Sequence, residues 1–151
     1  MADSFHSVDL PDLAATEALA AAVAALARPG DAILLEGPFG AGKTAFARAF
    51  LRAASGDAAL EVPSPSFTLV QSYDTRLGPV HHFDLWRLDG PQAVVELGWE
   101  EARADIVLAE WPDRLSALRP AEALSVRLSL LAGDARRAEL AGWEGRIGAL
   151  P

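Results

Sequence analysis

Residues 37–44 read Gly-Pro-Phe-Gly-Ala-Gly-Lys-Thr and match G-x-x-x-x-G-K-[ST] at every fixed position. Glycines at such a turn let backbone N–H groups curl inward without Cβ clashes, which makes a cradle for an anion. The run before the turn, Asp31–Glu36, is short and apolar, as a buried strand is. Lys43–Ala54 after it reads as a helix with Phe46 and Phe50 on one face. A helix that starts at the turn points its positive dipole end at the same anion. In this motif the lysine reaches the β- and γ-phosphates of a nucleotide, and the hydroxyl of Thr44 meets Mg²⁺. Chance yields the four fixed positions in a chain of 151 residues on the order of once in two hundred. Lys43 lowers that chance further, because it is the only lysine beside twelve arginines. A compact point charge is what lysine offers and a flat guanidinium does not.

Other segments arrange themselves around this unit as one α/β domain spanning residues 1–151. Phe5–Asp9 is a candidate strand. Pro11 sits where a helix first turn tolerates it, Leu19, Val23 and Leu26 recur at helical spacing, and Pro29-Gly30 ends the run. Ser55–Pro65 is a loop. Phe67–Tyr73 and Pro79–Leu85 read as strands joined by the turn-prone Asp74–Gly78. Pro91–Leu97 is a short helix stopped by Gly98, and Asp105–Glu110 is a second buried strand closed by Trp111-Pro112. Leu124–Leu131 alternates as a one-sided strand does, and Gly133-Asp134 turns it back into Arg136–Leu140. The expected fold is therefore P-loop-like: a mixed central sheet flanked by helices, antiparallel in its C-terminal part.

Composition removes several functions. The chain has no cysteine, which excludes disulfide scaffolds, thiolate zinc sites and thiol catalysis. Its net charge of −8 argues against holding nucleic acid by its own overall field. Hydrophobic residues at 51 % with charged residues at 23 % indicate a globular protein rather than a disordered one. Met1–His6 lacks the basic start and apolar run of a signal peptide, and the longest apolar run, Ala18–Ala27, falls short of a membrane span of roughly 20 residues. A cytoplasmic location is the expectation.

A phosphate loop needs an acid to hold water around Mg²⁺ and a group to orient the attacking water. Ile106-Val107-Leu108-Ala109-Glu110 is an apolar strand ending in one carboxylate, and Val80-His81-His82-Phe83-Asp84 is another. Ligands gather at strand ends in open α/β sheets. Neighbouring residues on a strand face opposite ways, so His81 and His82 do not share a metal, and a packed or hydrogen-bonded histidine is the better reading. Ser64-Pro65-Ser66-Phe67-Thr68 lies where nucleotide switches keep a γ-phosphate sensor, and its composition reads equally as an ordinary Ser/Pro loop leading into a strand.

Together these segments carry a resemblance. Leu35-Glu36-Gly37 with Gly40–Thr44, Ser64–Thr68, His82-Phe83-Asp84-Leu85-Trp86-Arg87-Leu88, Glu96-Leu97-Gly98 and Glu110-Trp111-Pro112 stand in the order and spacing of the TsaE (YjeE) family. These are small bacterial P-loop ATPases needed for threonylcarbamoyl-adenosine modification of tRNA. The resemblance implies that ATP or ADP is held by Gly37, Phe39, Gly40, Ala41, Gly42, Lys43, Thr44 and Ala45. It implies that Trp111 lies beside the nucleotide and Thr16 near the adenine. Mg²⁺ falls to Thr44, Thr68, Asp84 and Glu110, and catalysis to Glu110, Asp84 and Lys43. The implied partner is the TsaB–TsaD pair, with ATP hydrolysis resetting the complex between turnovers and tRNA reached only through it. Ser66, Trp86 and Pro38-Phe39 depart from the family's usual Thr, Tyr and Asp-Leu; the last two positions are expected to need no side-chain chemistry.

The competing reading is a small-molecule kinase, which shares the loop but carries an arginine-rich lid. Arg114, Arg119 and Arg127 are spread out and form no such lid. A guanine-reading Asn-Lys-x-Asp is impossible, since the single lysine is already in the loop. Arg87, three residues past Asp84, is the candidate for a cationic finger within this chain.

Overall fold

A computed structural model describes residues 5–151; the first four residues of the Met1–His6 segment lie outside the described residues. The chain runs β1 (Phe5–Leu10), α1 (Leu13–Leu26), β2 (Ala32–Glu36), α2 (Lys43–Ser55), β3 (Val70–Thr75), β4 (Gly78–Asp84), α3 (Pro91–Glu96) and α4 (Trp99–Ala102). It continues with β5 (Ile106–Glu110), a 3₁₀ segment at Pro112–Leu118, β6 (Leu124–Leu130), β7 (Arg136–Ala141) and a 3₁₀ turn at Ile147–Ala149.

All seven strands form one sheet in the order β1-β7-β6-β2-β5-β4-β3. Four adjacent strands, β6, β2, β5 and β4, are mutually parallel, and antiparallel pairs finish both sides: β6–β7–β1 on one, β4–β3 on the other. Parallel strands covered on both faces read as continuous apolar runs. That is the pattern of β2 and β5, in which Ala32–Leu35 and all of Ile106–Glu110 are buried. The mixed sheet and the antiparallel C-terminal part agree with the sequence reading.

Two layers cover the sheet. On one face α1 and α2 bring Leu19, Val23, Phe46 and Phe50 onto Ile33, Leu35, Leu108 and Val126. Phe46 and Phe50 have no solvent exposure, so truncation of either to Ala costs about 3–5 kcal/mol. On the other face α3, α4 and the 3₁₀ segment supply Val94, Trp99 and Leu115 against Leu34, Phe83 and Val107. Among the described residues no helix is long and apolar enough to cross a membrane.

Local chemistry shifts some boundaries. Asp12 is the cap of α1, its carboxylate accepting from the Ala15 N–H at 2.9 Å, so Pro11 precedes the cap instead of opening the first turn. The strand expected from Phe67 begins only at Val70. Leu69 takes a left-handed φ of 69° and its N–H donates to the Pro65 carbonyl at 2.8 Å, which makes 65–69 a turn. At the start of the phosphate loop Gly37 has φ 141°, and a Cβ there would overlap the Leu128 carbonyl oxygen of β6. Only glycine lets β2 leave the sheet at that point.

Candidate functional site

Parallel pairing brings the ends of β2, β5 and β4 to one edge of the sheet. Leu35 pairs with Glu110 and Glu110 with Asp84, so both carboxylates stand beside the loop that leaves β2. The buried polar or charged residues among those described are Thr16, Lys43, His82, Asp84 and Glu110. Four of the five meet at this edge. The Lys43 ammonium donates to the carbonyls of Gly37 (2.6 Å) and Pro38 (2.9 Å) and lies 4.2 Å from the Trp111 ring centroid. Burial pushes its pKa down, against the pull of Glu110 and Asp84. The Thr44 hydroxyl bridges from α2 to both Glu110 oxygens, at 3.1 and 3.0 Å. Burial raises the Asp84 carboxyl above the usual range. The Trp86 N–H, donating at 3.1 Å, works the other way, and the charge of Glu110 adds to the rise.

Above these groups opens a cleft of about 290 Å³, lined by Lys43, Thr44, Ser64, Ser66, Asp84 and Glu110 with Phe39 and Trp111 at its side. Phe39, Trp86 and Trp111 form a cluster with centroid separations of 5.0, 5.0 and 4.7 Å. A second cleft of about 430 Å³ shares Gly42 and Ala45 with the first and holds Thr16, Asp12 and Arg136. The loop therefore separates a carboxylate-lined chamber from a wider one at the start of α1.

The donor set suits Mg²⁺ bound with a nucleotide. A hydroxyl and two carboxylates are hard oxygen ligands, and Asp84 lies buried beside a second acid, where a cation would relieve it. Among the described residues no group of three or more His, Cys, Asp or Glu could hold a metal by itself.

Known proteins resemble this chain in sequence and fold. The family model described as "Threonylcarbamoyl adenosine biosynthesis protein TsaE" matches residues 10–138. This chain belongs to the TsaE family. A TsaE of Rickettsia bellii, named a tRNA threonylcarbamoyladenosine biosynthesis protein, is 38% identical over 122 residues, 80% of this chain and 84% of that one. The Bacillus subtilis protein of the same name is 34% identical over 124 residues, 80% of this chain and 75% of its own. The crystal structure of Bacillus subtilis YdiB superposes with a TM-score of 0.79 at 27% identity, covering 98% of this chain and 92% of that one.

Within this TsaE chain the sequence-derived residues distribute unevenly. Lys43, Thr44, Asp84, Glu110 and Trp111 come together, and Gly40 and Gly42 frame them. Gly37 offers its carbonyl to Lys43, and Ala41 and Thr16 face the wider cleft. Thr68 is not with the other expected Mg²⁺ ligands: its exposed hydroxyl accepts from the Gln71 amide at 3.0 Å, while Ser64 and Ser66 face the cleft. Arg87 does not reach the cleft either and stacks 4.7 Å from the Phe67 ring centroid. Phe39 packs against both Trp86 and Trp111 in the aromatic cluster. The two histidines part as expected. His81 bonds Asp105 and Ser72 on one face, and His82 is within 2.7 Å of Glu110 on the other. That last contact was invisible in the sequence, because it depends on the β4–β5 register.

Proposed function

We propose that this chain is the ATP-binding and ATP-hydrolysing component of tRNA threonylcarbamoyladenosine biosynthesis, acting in the cytoplasm with a TsaB–TsaD pair. The observation that carries the reading is the meeting of Lys43 and Thr44 from the loop–helix junction with Asp84 and Glu110 from two adjacent strand ends. Lys43 exchanges its carbonyl partners for β- and γ-phosphate oxygens and neutralises charge there. Thr44 and Asp84 are the residues that would hold Mg²⁺, the Thr44 hydroxyl as a ligand and the Asp84 carboxylate through water. Glu110, released from Thr44, orients the attacking water. Mg²⁺, when bound, supplies charge neutralisation across the phosphates. Trp111 walls one side of the cleft, and Thr16 and Ala45 border the chamber suited to the nucleoside.

Catalysis by the chain alone is expected to be slow, since Arg87 stacks on Phe67 and no arginine lines the phosphate cleft. An arginine finger is worth about 10³–10⁵ in rate. Calorimetric titration with Mg²⁺–ATP and steady-state phosphate release, with and without TsaB–TsaD, test the reading. Binding by the chain alone, slow turnover and acceleration by the pair are the expected results. No binding of ATP, or fast turnover that the pair leaves unchanged, overturns it. Transfer of phosphate to an added small molecule would favour the kinase.

A further inference from the structure

His82 has no solvent exposure, and its Nε2 lies 2.7 Å from Glu110 Oε2. Its other ring nitrogen, Nδ1, is buried with no hydrogen-bond partner. A buried N–H without an acceptor is expensive, whereas a bare lone pair is the smaller loss. The ring proton therefore belongs on Nε2, where the Glu110 carboxylate accepts it. This histidine is a fully buried polar side chain on the face of β4 it shares with Val80 and Asp84, and a group of that kind is costly to bury unless it is hydrogen-bonded.

Glu110 has two side-chain donors, the Thr44 hydroxyl and the His82 imidazole. They differ in what happens when nucleotide arrives. Thr44 is committed to the metal in the proposed mechanism and must let go of Glu110. His82 sits on β4 and not on the loop, and its other ring nitrogen has no partner. We propose that His82 is the positioning residue for Glu110: its Nε2–H holds Oε2 while Oε1 is left to orient the attacking water. The inference rests on the ATPase reading of this same site. His82 itself touches neither phosphate nor metal, so its loss leaves nucleotide affinity intact and acts on turnover. Outer-shell partners of this kind are worth about 10–100-fold.

Two measurements test it. The first needs no nucleotide: long-range ¹H–¹⁵N correlation spectra of the wild-type chain, with histidines labelled, should show His82 as the Nε2–H tautomer. Its ring proton should be slowly exchanging, and in Glu110→Ala that protection should be lost. A proton on Nδ1, or a spectrum untouched by Glu110→Ala, overturns the proposal. The second is single-turnover hydrolysis with ATP affinity measured in parallel. His82→Phe should bind Mg²⁺–ATP as the wild type does and hydrolyse it about 10–100-fold more slowly. His82→Gln, whose amide N–H reaches nearly as far as Nε2–H, should recover most of the rate. Unchanged hydrolysis in His82→Phe overturns the positioning role and leaves the ATPase reading standing. Failure of the wild type itself to bind Mg²⁺–ATP removes both.

Discussion

Asp84 and Lys43 are held in charge states that the surrounding fold disfavours. Burial raises the Asp84 carboxyl and lowers the Lys43 ammonium. A carboxyl with a raised pKa binds its proton more tightly when folded. Stability is therefore highest below the unfolded carboxyl's pKa and falls as pH rises through the folded one. Above the folded pKa the whole penalty is present. Asp84→Asn should accordingly raise the melting temperature of the nucleotide-free chain by a few degrees at pH 7. The gain should shrink toward acid pH, while Mg²⁺-dependent ATP binding weakens. Thermal unfolding across a pH series checks the first part and calorimetry the second; a lower melting temperature at pH 7 would mean that ionised Asp84 supports the fold. Stability given up at a functional site is a common compromise.

Glu36, the last residue of β2, shows the opposite balance. Burial alone would raise its pKa. Hydrogen bonds from Ser125 (2.6 Å) and Arg119 (2.8 Å), with Arg127 at 3.4 Å, outweigh it and hold the carboxyl below the ordinary glutamate range. This stabilisation is present above the unfolded pKa and is lost as pH falls through the folded one. Glu36→Gln should lower stability at neutral pH by about 1 kcal/mol, discounted for the exposure of both arginines, and make no difference once Glu36 is protonated. Urea unfolding at pH 7 and at acid pH reads both. None of these partners is legible in the sequence, because Arg119 and the β6 residues Ser125 and Arg127 lie 83, 89 and 91 residues further along the chain. Legibility at this scale followed period and length. Strands β2 and β5 were plain as apolar runs, and α2 from its two phenylalanines. The four-residue α4 is shorter than any period can reveal, and the turn at 65–69 hid where β3 begins. Within the site, the loop and both acids were readable as motifs. His82 on Glu110, Phe39 against two tryptophans and the cleft-facing Ser64 and Ser66 all required the strand register and the loop path.

Across the whole molecule a clamp joins segments remote in sequence. Arg146 donates twice to Asp31, at 2.8 Å each, and once to the Leu26 carbonyl at 2.8 Å, while its guanidinium lies 4.1 Å from the Trp143 ring centroid. One side chain thus fixes the end of α1, the approach to β2 and the segment after β7. Arg146→Ala should cost about 2–3 kcal/mol, since charge-assisted hydrogen bonds are lost and Asp31 keeps only the Arg28 N–H. That corresponds to a fall of roughly 4–12 °C in melting temperature, and a shift near zero would show that the clamp adds nothing. The sheet order has a consequence for synthesis as well. Both neighbours of β2 come later in the chain, β5 at 106–110 and β6 at 124–130, and β1 pairs only with β7 at 136–141. A nascent chain therefore carries its phosphate loop unsupported, next to an unpaired apolar strand, until nearly all of it has left the ribosome. Until β5 and β6 emerge, the apolar β2 is an unpaired strand open to aggregation.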